Sequence, residues 1–445
     1  MIDPFKKRLI RVATLFVGLL LVLSACTTAG RPTTTTSNPS PEPQVGPPST
    51  TTTIGAAGEQ IPPIGLSTAE LEQLPGRLVI NADRRQSVLV IGSDLVALPL
   101  GDSQGEVGSQ PTWSPDGKSV AWSRVVADGT ASVVVSSVTD GSSTEYGTPF
   151  QVFYIQWRPD SGALGVLGAG GEGTALAIID LGDGQVTQRH SAGSFYFVWS
   201  PDGKTLVTHL NGSIIELVDV ASGQRTPIDT ETGTFEAPQW TPDGKSIIYI
   251  RPVIIQTAGL GGFLAAQANR DELVMQNVAT DEVTVLAEGM GMNGFSLSPD
   301  GTEIAYTSGR SGTETDMFVV DLATGERKSL EVGLVFAWQW SPDSRKILVF
   351  GIEDAGIVLR VWNSGTVKDY FRAVPTGTFF NRYLIFWGQY ARSMSVWAPD
   401  SSAFVFAAID RGDDYIFLQL LEDEFPSLVA PGSVASFSPA GDSTN

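Results

Sequence analysis

From residue 113 onward, short runs alternate apolar and polar residues, and turn-forming residues bound each run. Ser119-Val-Ala-Trp-Ser123, Ser246-Ile-Ile-Tyr-Ile250 and Glu303-Ile-Ala-Tyr-Thr307 are examples. A period near two predicts half-buried β-strands and not helices. The same punctuation precedes them: Trp113-Ser-Pro-Asp-Gly-Lys118, Trp157-Arg-Pro-Asp-Ser161, Trp199-Ser-Pro-Asp-Gly-Lys204 and Trp240-Thr-Pro-Asp-Gly-Lys245. Further copies stand at Leu297-Ser-Pro-Asp-Gly301, Trp340-Ser-Pro-Asp-Ser344 and Trp397-Ala-Pro-Asp-Ser401, with a degenerate one at Phe437-Ser-Pro-Ala-Gly441. The motif aspartates Asp116, Asp160, Asp202, Asp243, Asp300, Asp343 and Asp400 recur every 41 to 57 residues. That period suits a propeller blade and not a helical solenoid unit.

In each motif, Pro presets φ at the second turn position, Asp follows at the third, and Gly takes the left-handed position that joins two antiparallel strands. Ser161, Ser344 and Ser401 replace that Gly, so those three turns must either accept strain or use another geometry. A second turn signal lies inside several repeats: Ile178-Ile-Asp-Leu-Gly-Asp-Gly-Gln185, Leu217-Val-Asp-Val-Ala-Ser-Gly-Gln224 and Val319-Val-Asp-Leu-Ala-Thr-Gly-Glu326. Each repeat therefore reads as a four-stranded blade. Seven blades open on motifs. Three strand-like runs before Trp113 lack an opening strand, and Val434 to Ser438 supplies one. The expected fold is an all-β propeller of eight blades closed by pairing N- and C-terminal strands, which removes open sheet edges. A seven-bladed ring with a frayed end is the alternative.

The repeat resembles that of the TolB-family propellers and of the related propellers attached to prolyl-oligopeptidase-type peptidases, over nearly all of residues 77–445. The resemblance implies that Trp113, Trp157, Trp199, Trp240, Trp340 and Trp397 pack between blades and that the Pro-Asp-Gly turns are structural. It says little about function, because propellers host binding, scaffolding and catalysis alike.

The N-terminus has a different texture. Lys6, Lys7, Arg8 and Arg11 precede the apolar run Val12 to Leu23, which is too short for a spanning helix and has the layout of a signal peptide over residues 1–25. Leu23-Ser-Ala-Cys26 resembles the bacterial lipobox, which implies lipidation of Cys26, the only cysteine. Residues 26–63, rich in Thr, Pro, Ser and Gly, cannot build a core and read as a disordered tether. In residues 64–76, Ser67-Thr-Ala-Glu70 has capping-box spacing between Leu66 and Leu71. A short helix is predicted there, its Leu66, Leu71 and Leu74 resting on an end of the propeller. The chain carries 28 basic against 48 acidic residues; loss of four basic residues and one acidic residue with the signal would leave a net charge of −23. Such a surface repels phosphate backbones, so nucleic acid is not an expected partner and the membrane is reached through lipid. The expected location is extracytoplasmic, at the outer membrane if the cell has two.

Candidate chemistry is sparse. His190 and His209 fall in neighbouring repeats without metal-ligand spacing, and no metal or cofactor is expected. No α/β domain follows the repeats, which sets aside serine peptidase chemistry within this chain. Glycan processing would need two carboxylates about 5 to 10 Å apart at the channel mouth. Two repeats carry insertions, and insertions on propellers tend to share one face. One, Arg251 to Arg270, is apolar and glycine-rich and contains Phe263. The other, Pro375 to Arg392, is aromatic and contains Arg382. Burial is favoured for Phe386 and Trp387, and partner contact for Tyr390 and Arg392, with Arg382 and Phe263 as further binding candidates. The function expected is a membrane-anchored binding or scaffold module for a protein or peptide, with a glycan-processing or glycan-binding propeller as the alternative and no enzymatic activity as the first reading.

Overall fold

The computed structural model describes residues 51–53, 64–82, 87–92, 98–101, 107–126, 129–170, 173–232, 236–255, 268–311, 314–353 and 356–439. The expected signal peptide, Cys26, nearly all of the expected tether, and Phe263 lie outside them. Eight antiparallel sheets follow one another along the chain as eight blades of a propeller. Blade 1 holds Leu78–Ala82, Ser87–Ile91 and Leu98–Gly101, and its innermost strand is Val434–Phe437, paired Leu78 to Phe437 and Asn81 to Val434. The ring is thus closed from both directions of the chain, and the seven-bladed alternative falls away.

Blades 2 to 7 begin with the innermost strands Val107–Trp113, Gln151–Trp157, Phe195–Trp199, Gln239–Trp240, Gly294–Leu297 and Val335–Trp340. Blade 8 holds Ala403–Asp410, Asp413–Leu420 and Ser427–Pro431; its innermost segment is reduced to single bridges, Trp397 to Phe404 and Ser395 to Phe437. Thr51–Thr53 adds a fifth strand to blade 2, pairing with Ser142 to Thr144. The helix Thr68–Glu72 carries the capping box, with Ser67 N–H donating to the Glu70 carboxylate and Glu70 N–H returning to the Ser67 hydroxyl. Leu66, Leu71 and Leu74 are buried in the same cluster as Trp397 and Phe437.

The motif aspartates organise their turns. In Ser200-Pro-Asp-Gly203, the Asp202 carboxylate accepts from the Ser200 hydroxyl and the Lys204 N–H, and the serine bond holds its pKa below the usual range. Ser161, Ser344 and Ser401 adopt the glycine conformation outright, with φ of 62°, 61° and 62°. Their hydroxyls accept the backbone N–H of Asp116, Asp300 and Asp343 in the preceding blade. A side chain that strains its own turn therefore ties two blades together.

The tryptophans make a second set of ties. Trp113, Trp157, Trp199, Trp340 and Trp397 donate their indole N–H to the carbonyls of Ser436, Thr112, Gln156, Ser296 and Gln339. In each case the acceptor stands one residue before the motif position of the preceding blade. The series breaks at blades 5 and 6, where the Trp240 N–H has no partner and Leu297 has no donor. There Gln239 bridges instead, donating to the Phe295 carbonyl and accepting from the Leu297 N–H.

Candidate functional site

Innermost strands line the axis of a propeller, so whatever occupies the axis decides what the channel can do. The insertion after Ala373 crosses it. Three short helical turns, Phe379–Tyr383, Leu384–Phe386 and Trp387–Tyr390, form a plug. Its Trp387 indole donates to the Trp338 carbonyl of blade 7. On the opposite side, the Tyr390 phenol donates to the Phe153 carbonyl of blade 3 and accepts from the Gln110 amide of blade 2. Tyr154 donates to the Gln389 carbonyl, and Thr376 donates to Ser433 beside blade 1. Phe350, Phe379 and Trp387 pack edge to face, as do Tyr154 and Tyr390. Such aromatic contacts add to the plug's buried area.

Two expectations for this segment need correction. Tyr390, expected at a partner, is 6% exposed, because its ring packs on Tyr154 and its hydroxyl satisfies two buried groups. Phe386, expected to be buried, is 48% exposed at the end of its turn. Trp387 is buried as expected, and Arg382 is exposed. The plug leaves blade 7 at the end of strand Thr366–Ala373, which defines the plug face of the ring; the Phe263 insertion lies outside the described residues.

The plug separates two cavities. The first, about 710 Å³, lies between the plug and blades 2 to 4, among Phe153, Tyr154, Phe195, Tyr196, Arg382 and Phe386. The second, about 620 Å³, runs from the plug along blades 4 to 8 to the motif prolines Pro299, Pro342 and Pro399. Glu236 and Arg392 line the second cavity together with Tyr196, Phe336 and Trp338. Arg392, expected at a partner surface, thus faces the channel.

Glu236 was not legible as a site residue, and the reason it reaches the channel is local. Pro238 has no N–H for a ladder, which confines the innermost strand of blade 5 to Gln239–Trp240 and frees the two residues before it. The backbone carbonyl of Glu236 accepts from His209 Nδ1, whose Nε2 is met by the Thr232 hydroxyl. His209 is therefore a positioning group, and burial lowers its pKa. His190 lies between blades against Glu216 and Arg225, with burial taking its pKa to about 4. No group of metal-ligating side chains occurs among the described residues. Burial raises Glu236 to about 8, against the pull of Arg392. Among the described residues lining the two cavities, Glu236 is the only carboxylate, so they offer one half of the pair that the glycan-processing alternative requires.

Gly101-Asp-Ser-Gln-Gly105 has the Gly-x-Ser-x-Gly spacing of a nucleophile elbow. It links the strand ending at Gly101 to the strand starting at Val107, not a strand to a helix, and Ser103 lies outside the described residues.

No family model matches the chain. Dipeptidyl-peptidase 5 of Porphyromonas gingivalis is 30% identical over 156 residues, covering 33% of this chain and 22% of that protein. The chain therefore matches about a fifth of that relative's length. Among solved structures, the dihydro-heme d1 dehydrogenase NirN in complex with DHE overlays at TM-score 0.54 and 14% identity, over 81% of this chain and 74% of that one. A prolyl endopeptidase overlays at 0.53 and 11% identity, over 75% of this chain and 50% of that one. At these identities the overlays speak for the propeller fold alone. The protein is an eight-bladed β-propeller.

Proposed function

We propose that this chain is an extracytoplasmic lipoprotein, anchored through Cys26, whose plug face binds an extended, apolar segment of a protein partner. The observation that carries the reading is the cavity between the plug and blades 2 to 4. Phe153 and Phe386 stand 41% and 48% exposed on its rim, beside the exposed Arg382. Large apolar groups left in water around a concavity, next to an arginine, are the make-up of a recognition hot spot. The partial match to a protein named as a dipeptidyl-peptidase suits a surface that handles peptide chain.

A photo-crosslinking residue placed at Phe153 or Phe386 in intact cells should yield a discrete protein adduct, lost on Arg382→Glu. The same residue at Val285, exposed on the outer strand of blade 5, should not yield it. No adduct at the rim, or the same adduct from Val285, overturns the binding reading. For the anchor, Cys26→Ser should move the protein from the membrane to the soluble fraction, while salt washing leaves the native protein in place. Native protein recovered as soluble, full-mass chain would overturn lipidation and leave the binding reading standing.

A further inference from the structure

The second cavity holds an acid and a base that no side chain among the described residues pairs within ion-pair distance. Arg392 donates its Nε to the Gly388 carbonyl at 3.1 Å, and neither it nor the Glu236 carboxyl has a further side-chain hydrogen bond or ion pair among the described residues. The carboxyl also lies beside Gly388, since a Cβ added there would be 3.4 Å from Glu236 Oε2. Both groups are thus referred to one residue, which from backbone dimensions puts them within roughly 10 Å of each other, close yet not touching. The protein surrounding them makes each charge costly: burial takes Glu236 up to about 8 and Arg392 down to about 10. A stability role would have brought the two into contact, because a guanidinium without an ion partner in a half-buried setting is a liability.

We infer that this channel binds a small zwitterion of the α-amino-acid class, its ammonium on Glu236, its carboxylate on the free fork of Arg392, and its apolar side chain against the aromatic wall. Raised to about 8, Glu236 keeps its proton at neutral pH until an ammonium beside it stabilises the carboxylate; acid and base then carry one charge of each sign, which suits a ligand with separated charges. Guanidinium and carboxylate match as planar, two-point partners. Tyr196, Phe336 and Trp338 offer ring surface for an apolar side chain and ring faces for an ammonium. The volume, about 620 Å³, lies within the range of small-molecule sites. The two cavities share Tyr196 and Phe386 in their linings, but Glu236 and Arg392 line this one alone, so the inference does not rest on the partner-binding reading.

The test is calorimetric titration of the full chain in detergent with three probes: L-phenylalanine, phenethylamine, which keeps only the ammonium, and 3-phenylpropionate, which keeps only the carboxylate. Phenylalanine should bind at least about tenfold more tightly than either singly charged analogue. Glu236→Gln, which breaks no hydrogen bond, should lower phenylalanine to the affinity of 3-phenylpropionate while leaving the latter nearly unchanged. Gly388→Ala, which sets a methyl group in ordinary contact with the carboxyl and covers part of it, should weaken phenylalanine with the melting temperature retained. Absence of phenylalanine binding at millimolar concentration overturns the inference. So does equal binding of the three probes, or unchanged phenylalanine affinity in a folded Glu236→Gln protein.

Discussion

At the scale of single residues, the serines that replace glycine in three motif turns show two opposing terms at one atom. Left-handed backbone costs a non-glycine residue about 1 kcal/mol, and a hydrogen bond returns about 1 kcal/mol. Ser344→Gly removes both and should change stability by less than about 0.5 kcal/mol. Ser344→Ala keeps the strain and loses the bond to Asp300, so it should destabilise by about 1 kcal/mol in chemical denaturation. Had the serine been tolerated merely as a turn former, Ser344→Gly would stabilise by about 1 kcal/mol and Ser344→Ala would leave stability unchanged. Turn chemistry was readable at these positions because it is local. The acceptor role was not, since Asp300 and Ser344 meet only once the ring is assembled. The same distinction explains why motif tryptophans were recognisable in sequence while Glu236 was not: six repeats announce the tryptophan, whereas Glu236 is exposed to the channel by a single proline.

At the scale of elements, the plug is the part that sequence pattern served least well. Half of residues 379–390 are aromatic, and aromatic composition fits a buried lid and an exposed interface equally. What sorts them is helical geometry, which turns Trp387 and Tyr390 inward and leaves Phe386 out. Tyr390→Phe keeps the ring but strands the Gln110 amide and the Phe153 carbonyl in a buried setting. It should cost about 2 kcal/mol and speed hydrogen exchange through residues 379–392, with exchange in blade 6 unchanged. A uniform loss across all blades would mean that the plug is not a separately opening unit. Blades were far more legible, because strand alternation and turn residues repeat in each of them.

At the scale of the whole molecule, closure depends on four residues. Phe437 occupies the position that tryptophan holds in other blades and is 1% exposed, and its neighbour Ser436 receives the Trp113 indole. Phe437→Ala should therefore cost about 3 to 5 kcal/mol, read as a fall in denaturation midpoint. A smaller loss would mean that the seam is held elsewhere. The seam also has a position in time. Leu78 pairs with Phe437, roughly 360 residues further along the chain. At ordinary rates of synthesis, the first strand waits on the order of 20 to 70 s for its partner to be made. Through that interval blade 1 keeps an unpaired inner edge, so any factor that shields nascent chain has one predictable place to act. The ring becomes a ring only after all the other blades have been made.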